Sequence, residues 1–204
     1  MIKSTLRFSA LLPLGLTLLL TTVACNQTPN AADTNGTDPM AGAVDPVDPD
    51  AATDSLLALA GEGLRVVDEQ TGSTVALDFG TEMATVEEAV TRIAGEPTES
   101  GENRECGAGP QIITQWSNGL ALHAADDEFI GWSTRSDAEA ALTTMTGVGV
   151  GSTRSELEAA YTIEVIESSL GTEFSTGDLF GILSSAEPDA VVEDLWAGTT
   201  CNFR

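Results

Sequence analysis

The sequence predicts an α+β fold: two helix-plus-antiparallel-meander repeats forming one curved antiparallel sheet with short helices on one face. Three observations carry this expectation. Short runs of alternating apolar and polar residues, separated by turn residues, recur from Ser55 onward, the pattern of half-buried antiparallel strands. Thr85 with Glu88, and Thr153 with Glu156, each form a Thr-x-x-Glu box at the start of a helical pattern. In such a box the threonine oxygen and the glutamate carboxylate satisfy orphan amides of the first turn. The two boxes lie about 68 residues apart, which sets an internal period with repeat 1 at about 80–133 and repeat 2 at about 148–201.

The N-terminal segment is read first. Lys3 and Arg7 precede an apolar run from Phe8 to Leu20, and Thr21-Thr22-Val23-Ala24-Cys25 closes it with small residues before a cysteine. The run is too short to span a bilayer stably and reads as the apolar region of an export signal. It resembles a bacterial lipoprotein signal, which implies removal of residues 1–24 and lipidation of Cys25. Thr22 stands where such signals usually carry an aliphatic residue. An ordinary secretory signal with an incidental cysteine is the alternative. Residues 25–54 hold six aspartates among Pro, Ala, Thr, Gly and Asn, with no aromatic or basic residue. So little apolar surface cannot offset the entropy of ordering, and an acidic disordered tether is expected. The spacing of Asp45, Asp48 and Asp50 invites a calcium-loop reading, but Pro46 and Pro49 interrupt it and the distal glutamate is missing.

Residues 55–204 are expected to form a single domain with a core of its own. Strands at 65–68 and 74–79 flank Gln70-Thr71-Gly72 as a first hairpin. Val86, Ala89, Val90 and Ile93 follow i, i+3, i+4, i+7 spacing and define the first helix. Strands at 112–116 and 120–124 flank Ser117-Asn118-Gly119. A three-residue loop with a left-handed Gly119 pairs Thr114 with Leu122 and puts Trp116, Leu120, Leu122 and Ile112 on one face. Gln115, Ala121 and His123 then share the other. Asp126-Asp127 turns the chain into a strand at 129–133. Leu157, Ala160 and Tyr161 define the second helix, followed by strands at 162–167, 179–183 and 191–197.

The Gly-x-Thr-x-x-Glu arrangement that opens a short helix before a meander, read from Gly151 to Glu156 and more loosely as Gly80-Thr81 followed by Thr85 to Glu88, resembles the BamE/SmpA group of small envelope lipoproteins, whose fold is shared in tandem with the beta-lactamase inhibitory protein. The likeness covers about residues 80–201 in two copies. The Gly-x-Pro that follows the helix in that family is present as Gly95-Glu96-Pro97, whereas the second copy has Thr162-Ile163-Glu164. The resemblance implies a lipid-anchored envelope module that works through protein contacts on its sheet.

Charge narrows the partners. Residues 1–24 carry away Lys3 and Arg7, so the remaining chain holds six basic and 32 acidic residues, a formal charge of −26. A surface of that sign repels phosphate backbones and excludes nucleic acid. The acidity is spread along the chain, as expected of a soluble surface in a salty or cation-rich medium; a specific basic partner or a divalent cation is the alternative. Of the three cysteines, Cys25 is assigned to lipid, and Cys106 and Cys201 remain as an even pair in an exported protein. A Cys106–Cys201 disulfide is expected, closing a loop of about 95 residues and stabilising the fold by about 4–5 kcal/mol.

No metal site and no cofactor are expected, since two distant cysteines and a single histidine offer too few ligands. His123 is expected at the surface, where Gln115 and Ala121 are its neighbours. No nucleophile elbow, zinc helix or phosphate loop occurs. The glycines at 147, 149 and 151 precede a helix start, but no lysine follows them. The expectation is therefore a protein without enzymatic activity. Trp116 and Phe79 are expected inside, while Trp132 and Trp196, beside Gly131 and Gly198, are the candidate interface aromatics. The expected function is a binding or scaffold module, held to a membrane through lipidated Cys25 and contacting another envelope or exported protein. The alternative is an exported inhibitor of a hydrolase. Asn26 after Cys25 favours the outer membrane if the cell is Gram-negative.

Overall fold

The computed structural model describes residues 55–135 and 142–201. The expected signal (1–24), Cys25 and the acidic tether (25–54) lie outside the described residues. In chain order the elements are β1 (Ser55–Ala60), β2 (Gly63–Asp68), β3 (Thr74–Asp78), α1 (Met83–Ala94), β4 (Glu99–Asn103), β5 (Gln111–Gln115), β6 (Ala121–Ala125) and β7 (Glu128–Arg135). There follow α2 (Arg154–Ala160), β8 (Glu164–Ser168), β9 (Gly171–Ser175), β10 (Leu179–Leu183) and β11 (Val192–Gly198).

The fold is mostly β, which corrects the expected α+β class. Strands take 48% of the described residues and helices 13%. There are two antiparallel sheets rather than one: a three-stranded sheet in the order β1-β2-β3, and an eight-stranded sheet in the order β4-β5-β6-β7-β11-β10-β9-β8. Helix-plus-meander repeats are therefore not the organising unit. Part of the reason is in the strands that periodicity does not reveal. β4 is Glu-Ser-Gly-Glu-Asn, with no apolar residue to alternate, and it lies at a sheet edge with its side chains exposed or half-buried. β1 reads Ser-Leu-Leu-Ala-Leu-Ala, apolar at successive positions because β1 buries residues of both parities. α2, at 7 residues, is too short to cover a sheet.

The hairpin of β5 and β6 takes the three-residue loop. Trp116 N donates to Leu120 O, Gly119 has φ 81°, and Thr114 pairs with Leu122. Alternation then sorts the side chains. Thr114, Leu122, Trp132, Ala197 and Leu179 form one cross-strand row, and the helical side of the core receives it. Thr114 Oγ1 donates to Glu87 Oε1 of α1 at 2.7 Å, and Trp116 Nε1 donates to Gly95 O at 3.0 Å. Leu59, Leu64, Val86, Val90, Phe129 and Leu195 complete a continuous buried cluster with them. Ile112, expected on the buried face, is 43% exposed near the start of β5.

Candidate functional site

The opposite face of the eight-stranded sheet takes the alternate residues. Two cross-strand rows define it. One reads Glu99, Gln115, Ala121, Ser133, Trp196, Phe180, Ser175 and Glu164, and the next reads Arg135, Asp194, Ile182, Glu173 and Ile166. A depression of about 530 Å³ opens on this face, lined by Ile113, Gln115, His123, Ser133, Arg135, Ile182, Asp194 and Trp196, with Trp116 and Leu170 at its rim. Amides, hydroxyls, one ion-pairable strand couple and several large apolar side chains share the lining.

His123 is buried, which corrects its expected surface position. Its Nδ1 lies 3.0 Å from Gln111 Oε1 and its Nε2 lies 3.1 Å from Ser133 Oγ, so the fitting tautomer carries its proton on Nδ1, which donates to the Gln111 carbonyl oxygen while Nε2 accepts from the Ser133 hydroxyl. Burial pushes the imidazole pKa down to about 4, and the ring is neutral at neutral pH. Residues 199–201, which follow β11, pass close by on the same face. A Cβ on Gly131, the register partner of His123, would stand 2.4 Å from Thr199 O. Thr199 N donates to Ile130 O at 2.8 Å, and Cys201 also lines the depression. Gln111, likewise buried, pairs with Asn103 across β4 and β5 and leaves its Nε2 without a hydrogen-bond partner among the described residues.

The two candidate interface tryptophans separate. Trp132 is fully buried on the helical side, with Nε1 donating to Ala60 O at 2.9 Å, and it offers no surface. Trp196 is 6% exposed, lines the depression, and stacks on Phe180 with ring centroids 6.4 Å apart. Gly131, taken as a sign of access for a partner, instead makes room for the Thr199 backbone.

Cys106 and Cys201 are neighbours and stand as free thiols. Asn103 Nδ2 donates to Cys201 Sγ at 3.4 Å. Burial, with a hydrogen bond to the Cys106 thiol, pushes the Cys201 pKa up to about 11. The glycine segment before α2 is packed rather than open at Gly149, where a Cβ would stand 2.3 Å from Leu142 O. Among the described residues no group of three or more His, Cys, Asp or Glu side chains is placed to hold a metal ion, and no helix is long and apolar enough to cross a membrane.

Gln111, Ser133, Arg135, Ile182 and Asp194 were not marked by the sequence. The hairpin register would have placed Gln111 with Gln115 and His123. The β7–β11 pairing that brings Asp194 opposite Arg135 joins strands 59 positions apart in that register and leaves no local signal. Compared with known proteins, the chain matches no protein-family model, no curated protein and no solved structure.

Proposed function

We propose that this chain is a lipid-anchored envelope protein that binds another envelope or exported protein through the open face of its eight-stranded sheet. The observation that carries the reading is the depression itself. Among the described residues it is a sheet face left uncovered by helices, lined by Trp196, Ile113 and Ile182 beside Gln115, Ser133 and Arg135. Aromatic and aliphatic side chains with an arginine and a polar rim are the composition of protein interfaces. The anchor is the lipid on Cys25, whose several chains hold a protein at a membrane where one chain would not. The likeness of the Gly-x-Thr-x-x-Glu motifs to envelope lipoproteins supports the same address.

Site-specific photo-crosslinking in intact cells tests the reading. A benzophenone side chain at Gln115, in the depression, is expected to give a discrete adduct with one exported protein. The same probe at Val75, on the three-stranded sheet, serves as the control and is expected to give none. Equal adduct patterns from both positions, or no adduct from Gln115, would overturn the proposal. An adduct whose partner is a soluble hydrolase would identify the chain as an inhibitor rather than a scaffold.

A further inference from the structure

We propose that Cys106 and Cys201 form a disulfide that clamps residues 199–201 across the open sheet face, and so builds one end wall of the partner groove. The inference deepens the reading of that face as a binding site and depends on it only for its consequence. Topology makes the first part of the case. Cys106 lies in the loop between β4 and β5, whereas Cys201 follows β11. In the sheet β4 and β11 are separated by β5, β6 and β7. Cys201 nevertheless stands beside Cys106 and within reach of Asn103, so residues 199–201 carry the chain from the end of β11 to the β4–β5 loop.

The crossing is built into the backbone. Gly198, at φ 70°, turns the chain as β11 ends. Gly131 is the residue over which Thr199 passes, and any side chain there would meet the Thr199 carbonyl. Gln111 and His123 are buried although they belong to the open face, and His123 is the register partner of Gly131, over which Thr199 passes. With the thiols reduced, hydrogen bonds alone hold the segment among the described residues: Thr199 to Ile130 through the backbone, Asn103 to Cys201, and Cys201 to the Cys106 thiol. A covalent link from Cys201 to the β4–β5 loop fixes its far end and removes the lifted states from the ensemble.

The oxidant is the disulfide of an exported dithiol oxidase. The Cys201 thiolate, the more exposed of the two, attacks one oxidant sulfur. This forms a mixed disulfide and expels the other oxidant sulfur as a thiolate. The Cys106 thiolate then attacks Cys201 Sγ, closing the Cys106–Cys201 bond and releasing the second oxidant sulfur. Two electrons pass to the oxidant, and the two protons lost by the cysteines complete its pair of thiols.

The sequence holds one histidine, so carbethoxylation of His123 by diethyl pyrocarbonate, read by peptide mass, reports the lifting of the segment without any partner. The exported protein is compared after exposure to oxidised glutathione, after reduction and removal of the reductant, and as the Cys106→Ser variant. After oxidation neither the Cys106 nor the Cys201 peptide should carry maleimide once the protein is denatured, and His123 should label at least tenfold more slowly than in the reduced form. Cys106→Ser should label as the reduced form does. If that variant does not fold, the oxidised and reduced wild-type pair decides alone. Maleimide on both cysteines after oxidation, or equal His123 labelling with the bond formed, would overturn the clamp. A crosslinking failure at Gln115 would leave these readouts untouched, so the two proposals fail separately.

Discussion

Trp132 Nε1 donates to the carbonyl oxygen of Ala60 at 2.9 Å, a bond between residues 72 positions apart. It joins β7 of the eight-stranded sheet to the end of β1 in the three-stranded sheet. Trp132 is therefore both a large buried ring and a polar tie between the sheets, since a half-buried carbonyl that loses its donor carries a cost.

Two substitutions separate those roles. Trp132→Phe retains most of the ring volume and orphans Ala60 O, and should cost about 2 kcal/mol. Trp132→Ala adds a cavity and should cost about 4 kcal/mol. Urea unfolding checks both. A Trp132→Phe variant as stable as wild type would show that the carbonyl finds water instead.

The two Thr-x-x-Glu boxes differ in their structure and should differ in their energetics. At α2 the box forms: Glu156 N donates to Thr153 Oγ1 at 3.2 Å and Thr153 N donates to Glu156 Oε2 at 2.8 Å. The same bonds hold the Glu156 carboxylate below its usual pKa. At α1 the helix starts earlier, at Met83, with Glu82 at the cap and no side-chain cap bond, and Glu88 pairs instead with Arg92 at 3.0 Å. Thr153→Ala should cost about 1 kcal/mol. Thr85→Ala, at an exposed position already inside the helix, should be neutral or stabilising by a few tenths of a kcal/mol. Thermal melts of both variants check this, and a matched loss would contradict the α1 start.

These boxes also mark where the sequence is legible. Local rules found both helices, and Ser117-Asn118-Gly119 specified the β5–β6 register down to Thr114 opposite Leu122. They missed β1, β4 and β9, because Glu-Ser-Gly-Glu-Asn and Gly-Thr-Glu-Phe-Ser pair by position at a sheet edge or beside it rather than by an apolar pattern. The site fared similarly. Alternation placed Gln115 and His123 on one face, but the passage of the Thr199 backbone over Gly131, beside a buried His123, depends on the β7–β11 pairing and on Gly131 lacking a side chain. Trp132 was misplaced for the same reason: the glycine beside it serves a backbone crossing on the other face.

Burial of His123 makes stability depend on acidity. The folded pKa, about 4, lies below the ordinary 6.5, so between these values the unfolded chain binds the proton more tightly. Stability is unaffected above about pH 6.5 and falls as pH drops toward 4, by about 3 kcal/mol at the low end. Unfolding free energies of wild type and His123→Gln at pH 7, 5.5 and 4 check this. The variant should lose less stability than wild type over that range by about that amount. Parallel pH profiles would show that His123 titrates normally in the fold.

Trp196 carries the last prediction because, of the two candidate interface tryptophans, it is the one that lines the groove. Its stack on Phe180 holds the ring in place before any partner arrives, so little side-chain entropy remains to be lost on binding. Truncating a central, pre-positioned tryptophan of an interface should cost about 2 kcal/mol or more, roughly a thirtyfold loss of affinity for the partner captured at Gln115. Because the ring is mostly buried, Trp196→Ala will also lower stability, and affinity must be measured below the onset of melting. Ile182→Arg separates the two effects. It places a charge at a half-buried lining position whose stem can reach solvent, so it should spare the fold while blocking the partner. Wild-type affinity in both variants would remove the depression from the binding surface. Loss of affinity in Trp196→Ala alone, matched to its loss of stability, would make Trp196 a structural residue of the sheet.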